Sequence, residues 1–217
     1  LMAEGVSFTA VCGEEKAQIR LPIPGGFTVC NALTVLGVAK QLGISLADSA
    51  KALETAKGVK GRVEVVPTPG KPYTVLIDYA HTPDGLENVL SSVKDFCKGR
   101  LIAVFGCGGD RDKGKRPIMG DMVSRMADIA IFTSDNPRTE DPEQILREME
   151  AGVEAGDRYL KIADRHEAIK TAVMLAEPHD IILLAGKGHE DYQIIGNEKH
   201  HFNDKEVVRE WFTKFGR

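Results

Sequence analysis

The sequence has little of what would mark a metal-binding, disulfide-linked or aromatic-rich protein. Its 217 residues include four cysteines and one tryptophan, and aromatic residues make up only 6% of the chain. Cys12, Cys30, Cys97 and Cys107 show no C-x-x-C spacing, so neither a zinc site nor a disulfide framework is indicated. We expect reduced thiols in a cytoplasmic protein, with Cys30 and Cys97 buried as small apolar side chains.

Strong charge and long apolar runs are also missing. The formal net charge of −4 gives no reason to expect nucleic acid or an anionic membrane as a partner. No apolar run approaches the length of about 20 residues that a membrane span needs, and the first residues lack the pattern of a signal peptide. Those first residues read like the middle of a strand, which predicts that the chain is a piece of something longer.

The start of the chain predicts two strands and two helices. Alternating polar and apolar residues on both sides of Gly13 predict a β-hairpin. Two segments with helical apolar spacing follow it. The first ends at Gly43, and the second runs from a Ser45 cap to Gly58.

A change of composition predicts where one domain ends. Three prolines and a glycine fall within residues 67–72, where they interrupt both helical and strand patterns. Such segments commonly join domains. We therefore assign residues 1–68 to a first domain and residues 69–217 to a second.

The second domain alternates apolar strands with helices. Four short runs rich in Val, Ile and Leu do not alternate with polar residues, which is typical of parallel strands buried on both faces. These runs are residues 73–79, 100–106, 128–133 and 180–186, with residues 158–164 as a further candidate strand. Helical patterns between them, and a last helix from Lys205 to Phe215, predict a doubly wound α/β fold with a mostly parallel sheet.

Loops rich in glycine, charge and histidine follow the four strands. They read "DYAHTPDG", "GCGGDRDKGKR", "SDNPRTEDP" and "GKGHEDYQ". Ligands of open α/β sheets bind beyond the carboxyl ends of the strands, so these loops predict a site at one edge of the sheet.

Single residues in these loops leave their roles open. Asp78 ends a buried strand and needs partners, which suits ribose hydroxyls or a metal. His81 fits capping or packing as well as catalysis. Lys187 lies between two glycines, which suits anion binding or a solvated side chain.

The second loop contains a near match to a phosphate-binding motif. Gly109 to Lys115 fits G-x-x-x-x-G-K, but Arg116 follows where the motif needs Ser or Thr to hold magnesium. Gly106, Gly108 and Gly109 indicate instead that backbone comes close to a ligand or a neighbouring strand.

Taken together, the four loops resemble the C-terminal domain of the Mur ligase family, above all its diaminopimelate-adding type. The stretches that carry the resemblance are "DYAHTPDGLENVL", "FGCGGDRDKGKRPIMG", "TSDNPRTEDP" and "LLAGKGHEDYQ". Upstream, "PIPGGFTVCNALTVLGVA" and "GVKGRVEVV" resemble the end of that family's central ATPase domain. The resemblance implies a Rossmann-like C-terminal domain in residues 69–217, preceded by part of a central ATP-binding domain in residues 1–68.

The resemblance implies an acid–amino-acid ligase of peptidoglycan precursor synthesis. In that family, ATP phosphorylates the D-glutamate carboxylate of UDP-MurNAc-L-Ala-D-Glu, and an amine of meso-diaminopimelate attacks the acyl phosphate. The implied ligands are ATP, Mg²⁺, meso-diaminopimelate and the UDP-linked dipeptide. The protein's role is to align them and to stabilise developing charge.

The resemblance also assigns roles to individual residues, with no metal ligand among them. The implied ATP contacts are Asn31 on the adenine side, Arg62 at the phosphates, Asp78 at the ribose and the nearby His81. The implied diaminopimelate site consists of Arg111, Asp135, Asn136, Pro137, Arg138, Gly186 and Glu190. Arg138 is expected to clamp the distal carboxylate, which L-lysine lacks.

Two parts of the family pattern do not occur in these 217 residues, namely the G-T-x-G-K-[ST] loop and the UDP-binding domain. We therefore expect the chain alone to hydrolyse no ATP and to form no amide bond. Three alternatives stay open: a self-contained P-loop-like NTPase that uses Gly109–Lys115, a lysine-adding Mur ligase, and a binding module without catalysis.

Overall fold

The computed structural model describes residues 5–154, residue 156 and residues 158–214. It divides into two compact units, Leu1–Val59 and Lys60–Arg217. Within the described residues, no helix combines the length and the apolar character that crossing a membrane requires.

The first unit is a β-hairpin packed against two helices. Its elements are β1 (Val6–Cys12), β2 (Glu15–Leu21), α1 (Gly26–Gln41) and α2 (Leu46–Glu54). The two strands pair in antiparallel register, and Ile19 lies fully buried in an apolar cluster with residues of both helices. Ser45 caps α2 as predicted, because its hydroxyl accepts the Asp48 amide at 3.0 Å.

The second unit is built on a six-stranded sheet. Its strands are β3 (Glu64–Val66), β4 (Thr74–Asp78), β5 (Leu101–Phe105), β6 (Ile129–Phe132), β7 (Tyr159–Lys161) and β8 (Ile181–Ala185). They lie in the order β3-β4-β8-β5-β6-β7, and all neighbours are parallel except β3 and β4. The prediction of a mostly parallel α/β sheet is confirmed.

Helices cover this sheet and join its strands. They are α3 (Pro83–Lys94), α4 (Lys115–Met126), α5 (Pro142–Glu150), α6 (Arg165–Leu175) and α7 (Asp204–Lys214). Helices α6 and α7 pack against alternate strand residues such as Ile77, Val104 and Leu184. Since successive strand side chains point to opposite faces, the intervening buried residues face the side where α3, α4 and α5 pack together. The predicted end of the last helix, Phe215, lies outside the described residues.

Three local predictions differ from the structure. Residues 64–66 pair with β4, so the second unit begins at Lys60 and not after the predicted boundary at residue 68. Helix α2 ends at Glu54 and not at Gly58. The thiol prediction is wrong for Cys30, which is exposed on α1, whereas Cys97 is half-buried.

A second hairpin, which the sequence patterns did not predict, follows the last parallel strand. It consists of β9 (Tyr192–Ile195) and β10 (Glu198–His201), paired in antiparallel register. None of its residues is fully buried, so it lacks the apolar alternation on which strand prediction depends.

Candidate functional site

A cavity of about 390 Å³ opens at the carboxyl ends of β4, β8, β5 and β6. Each of the four predicted loops contributes to its wall. Among the lining residues are His81, Gly108, Arg111, Asp135, Asn136, Arg138, Gly186 and Glu190. The predicted edge of the sheet therefore carries a concave polar site.

Glycines after β5 let the loop after β6 pack directly against them. A Cβ atom at Gly109 would lie 1.8 Å from the Pro137 carbonyl oxygen, and one at Gly106 would lie 2.3 Å from the Thr133 oxygen. At Gly108 the added atom would meet the Arg138 guanidinium at 3.0 Å. The glycine run thus serves close approach of backbone and side chain from the neighbouring loop.

Asn136 is the most connected side chain of the loop after β6. Its Oδ1 accepts from the Ile194 amide at 3.0 Å and from Lys187 Nζ at 3.1 Å. Its Nδ2 donates to Glu190 Oε2 at 2.8 Å. The side chain is 3% exposed, so these partners satisfy a buried amide from both ends.

Asp135 places a buried carboxylate beside the cavity. Burial raises the pKa of this carboxyl, while the charges of Lys187 and Arg165 act in the opposite direction. Gly186 gives the carboxylate room, because a Cβ there would lie 2.8 Å from Asp135 Oδ2. A desolvated acid at this position suits a ligand that brings an ammonium group.

Arg138 is fixed by its surroundings before any ligand arrives. Its backbone has a left-handed φ of 52°, which side chains rarely adopt. Its amide donates to the Ile194 carbonyl at 3.0 Å, and its own carbonyl accepts from Gly196 at 2.7 Å. The Nη1 atom donates to the Gly109 carbonyl at 2.7 Å, whereas Nε and Nη2 make no hydrogen bond within the described part of the chain.

The near match to a phosphate-binding motif has a structural role here. The Gly109 amide donates to the Asn136 carbonyl at 2.9 Å, and the Asp110 amide donates to Glu140 at 2.5 Å. Arg116 is 1% exposed and binds Glu140 through both terminal nitrogens, at 2.9 and 2.8 Å. Two backbone donors of this loop are therefore used inside the protein, and the buried Arg116 joins the loop to Glu140.

Two of the predicted ATP contacts, Arg62 and His81, lie around the ring of Tyr79. The Arg62 guanidinium lies 5.0 Å from the centre of this ring, and the rings of His81 and His189 lie 4.7 and 5.2 Å away. Arg62, His81 and His189 are exposed, so they form an accessible cationic and aromatic surface. A further predicted contact, Asn31, is an exposed residue of α1 in the first unit.

Asp78 itself is turned into the protein. Its Oδ2 accepts the Val63 amide at 2.8 Å and its Oδ1 accepts the Ala80 amide at 2.7 Å. Burial raises the pKa of this carboxyl, and the two amides partly offset that effect. Val63 has a φ of 40°, so Asp78 holds a strained turn next to Arg62.

The predicted amino-acid contacts are brought together, although the sequence did not indicate what supports them. Arg111, Asp135, Asn136, Arg138, Gly186 and Glu190 line the cavity, and Pro137 is buried behind it. Sequence reasoning missed the supporting roles of Lys187, Tyr79 and Gln193, whose Nε2 donates to the Asp135 carbonyl at 2.7 Å. Only the glycines that flank Lys187 gave any signal.

A metal centre is not formed by the described residues. Among them, no group of three or more His, Cys, Asp and Glu side chains is arranged to hold an ion. The resemblance places the implied Mg²⁺ mainly in the central domain, and it names no residue of the cavity as a metal ligand.

Comparison with known proteins gives a consistent assignment. The family model described as "Mur ligase, glutamate ligase domain" matches residues 61–188. A UDP-N-acetylmuramoyl-L-alanyl-D-glutamate–2,6-diaminopimelate ligase from Clostridium botulinum is 48% identical over 96% of this chain and 43% of its own length. The enzyme of the same name from Clostridioides difficile is 46% identical over 98% of this chain and 44% of its own length.

A solved structure extends this likeness to the fold. A structure of UDP-N-acetylmuramoyl-L-alanyl-D-glutamate–2,6-diaminopimelate ligase is 40% identical, with a TM-score of 0.77, and is matched over 100% of this chain and 44% of its own. The chain therefore spans less than half the length of the relatives that it matches. The family model covers more than half of the chain and most of its second unit. The chain belongs to the Mur ligase family.

Proposed function

We propose that this chain forms the amino-acid-binding part of an ATP-dependent ligase that joins meso-diaminopimelate to the D-glutamate of UDP-MurNAc-L-Ala-D-Glu. The relatives described above support this substrate pair, because each is named as a 2,6-diaminopimelate ligase and they are 40–48% identical to this chain. The reaction belongs to peptidoglycan precursor synthesis. Four free thiols suit a reducing compartment, so the proposal includes a cytoplasmic location.

One observation carries the proposal, namely the preformed arrangement of Arg138 against two acids in one cavity. The Gly109 carbonyl accepts from Nη1 of the guanidinium, which leaves Nε and Nη2 for a ligand carboxylate. Asp135 and Glu190 line the same cavity and suit the ammonium of the same amino-acid end. Arg111 adds a second cation on the wall, so a ligand with two zwitterionic ends meets charges of both signs.

In this proposal the chain binds and orients the ligand but does not activate it. ATP supplies the phosphoryl group that converts the acceptor carboxylate into an acyl phosphate. Arg62 and His81, on either side of Tyr79, are the proposed nucleotide contacts of the second unit. Holding one end of diaminopimelate rigidly leaves the amine of the other end free to attack, and such positioning is a large share of catalysis.

The role proposed for Asp78 differs from the role that the resemblance implies. The resemblance assigns it to the ribose, but both of its oxygens already accept backbone amides. We assign it instead to holding the turn that carries Arg62.

Binding calorimetry on the 217-residue chain tests the proposal. The chain should bind meso-diaminopimelate, and L-lysine should bind at least tenfold more weakly, because it leaves Arg138 without a carboxylate. Arg138→Ala should weaken diaminopimelate binding by about 100-fold, the equivalent of losing a charge-assisted pair. Arg138→Lys should be almost as poor, since an ammonium cannot present two parallel donors.

Arg147→Ala provides the matched control, because Arg147 is an exposed arginine of α5 outside the cavity. It should leave the affinity unchanged. Equal affinity for L-lysine and diaminopimelate would favour the lysine-adding alternative, and absence of binding to both would remove the proposal.

A further inference from the structure

Lys187 is one of the few fully buried charged side chains of the second unit. It follows β8 between Gly186 and Gly188, whose φ values of 108° and 53° suit glycine. A Cβ at Gly188 would lie 2.6 Å from the Cβ of Tyr79, so the loop turns close against its neighbour. The lysine is therefore enclosed by protein and does not reach solvent.

The Lys187 ammonium hydrogen-bonds the side chains of Asn136 and Glu190, which both line the cavity. Its Nζ lies 3.1 Å from Asn136 Oδ1 and 3.3 Å from Glu190 Oε2. Since the Ile194 amide also donates to Asn136 Oδ1, two donors fix which end of the amide is oxygen. The other end, Nδ2, must then donate to Glu190 Oε2, at 2.8 Å.

We propose that Lys187 is a positioning residue for the amino-acid ligand, which holds Asn136 and Glu190 in one orientation. The inference rests on the proposed function, because it concerns the same cavity. In this orientation Glu190 Oε1 makes no hydrogen bond to any described residue, and one Asn136 amide hydrogen is unused. Both atoms are therefore available to an ammonium and a carboxylate of the ligand.

Several charged groups lie around Lys187 and Asp135, and they determine how the loss of Lys187 would affect the Asp135 carboxyl. Asp135 and Glu190 face it from the loops after β6 and β8, and Cys107 lies near Asp135 from the loop after β5. From α6 and α7, Arg165 and Asp204 contribute charges of opposite sign that form their own ion pair.

The Tyr192 ring of β9 lies 5.7 Å from Lys187 Nζ. Of the cations that lower the pKa of Asp135, Lys187 has the larger effect.

Removing Lys187 should therefore raise the pKa of Asp135 beyond the increase that burial already causes. A raised carboxyl pKa means that the acid stays protonated to a higher pH. A ligand ammonium would then find a neutral partner at a pH where the unaltered protein offers a carboxylate. Raising the pH should restore the charge and part of the binding.

Lys187→Met tests this inference, because it keeps the length and apolar stem of the side chain. Calorimetry with meso-diaminopimelate between about pH 6 and pH 8.5 should show an affinity lowered roughly 10- to 100-fold near neutral pH, in line with loss of hydrogen bonds to a charged group. The difference from the unaltered chain should shrink as the pH rises. Lys199→Met is the matched control, since Lys199 is an exposed lysine that lies 4.3 Å from the same Tyr192 ring.

Lys187→Gln separates the hydrogen bond to Asn136 from the positive charge near Asp135. It also replaces the Met variant in the test if that variant does not fold. Its amide can still donate to Asn136, so the loss of affinity should be smaller, while the shift with pH should remain. Urea unfolding of each variant reports whether the fold is intact.

The outcomes distinguish the two proposals. If the unaltered chain binds no diaminopimelate, the proposed function fails. If it binds and Lys187→Met binds within about threefold at every pH, the positioning role fails. A loss of equal size at every pH would also overturn it, because a merely structural defect does not follow the charge of Asp135.

Discussion

Breaking the buried ion pair between Arg165 and Asp204 should lower the free energy of unfolding several times more than breaking an exposed pair. Asp204 accepts from Arg165 Nε at 2.9 Å and from Nη2 at 2.7 Å. Both side chains are at most 2% exposed, and they join the first turns of α6 and α7. Arg165 Nη2 also reaches the Ala185 carbonyl at the end of β8, 3.3 Å away.

Asp204→Asn keeps the shape of the side chain but leaves a guanidinium buried without its counter-charge. Breaking one partner of such a pair costs about 3–5 kcal/mol. With a urea m-value of about 2 kcal/mol/M, the midpoint of unfolding should fall by about 1.5–2.5 M. The single tryptophan, Trp211 of α7, reports on the second unit directly, so fluorescence follows the relevant transition.

Asp121→Asn is a close control, because Asp121 binds Arg125 with two hydrogen bonds of 2.8 and 2.7 Å within α4. The Arg125 side chain is 54% exposed, and exposed pairs of this spacing contribute only about 0.3–0.5 kcal/mol. The midpoint should therefore move by less than about 0.3 M. If the two Asn variants unfold at the same urea concentration, burial does not set the strength of these pairs and the reasoning is wrong.

Two further predictions concern the loop after β5. Burial raises the pKa of the Cys107 thiol to about 12, so iodoacetamide at about pH 8 should label the exposed Cys30 and leave Cys107 unmodified until urea is added, as peptide mass mapping would show. Comparable labelling rates for the two thiols would contradict this. Gly109→Ala places a methyl group 1.8 Å from the Pro137 oxygen, so diaminopimelate binding should weaken at least tenfold by calorimetry, whereas Gly37→Ala, where the methyl meets nothing within 4 Å, should bind normally.

The sequence patterns predicted the parts of the fold that depend on local chemistry. The runs 101–105, 129–132 and 181–185 are apolar at every position, and that pattern arises only where both faces of a strand are covered. Because the ends of parallel strands share one edge, the place of the cavity followed from the same runs. Strand β3 and the β9–β10 hairpin were missed, since they are short and partly exposed.

The sequence indicated residues that line the cavity, but it did not indicate which contacts support them. The charged and glycine-rich loops mark Arg138 and Glu190, because a turn has no need of them. Whether Lys187 and Asp78 face solvent, ligand or protein depends on contacts between loops far apart in the sequence, and no local pattern reports those. The internal role of the Gly109–Lys115 loop was hidden for the same reason, since two of its amides are bonded to Asn136 and Glu140 from another loop.

The left-handed backbone of Arg138 limits how its loop could be transplanted. That conformation costs roughly 1–2 kcal/mol in a residue with a side chain. Here it is offset by the hairpin, which hydrogen-bonds the amide and the carbonyl of the same residue. Grafting residues 135–138 onto another sheet without residues 192–196 would transfer the sequence of this loop but not its conformation. Under the proposed function, selectivity for the amino acid depends on two separate stretches of chain, and a new specificity would have to be built into both.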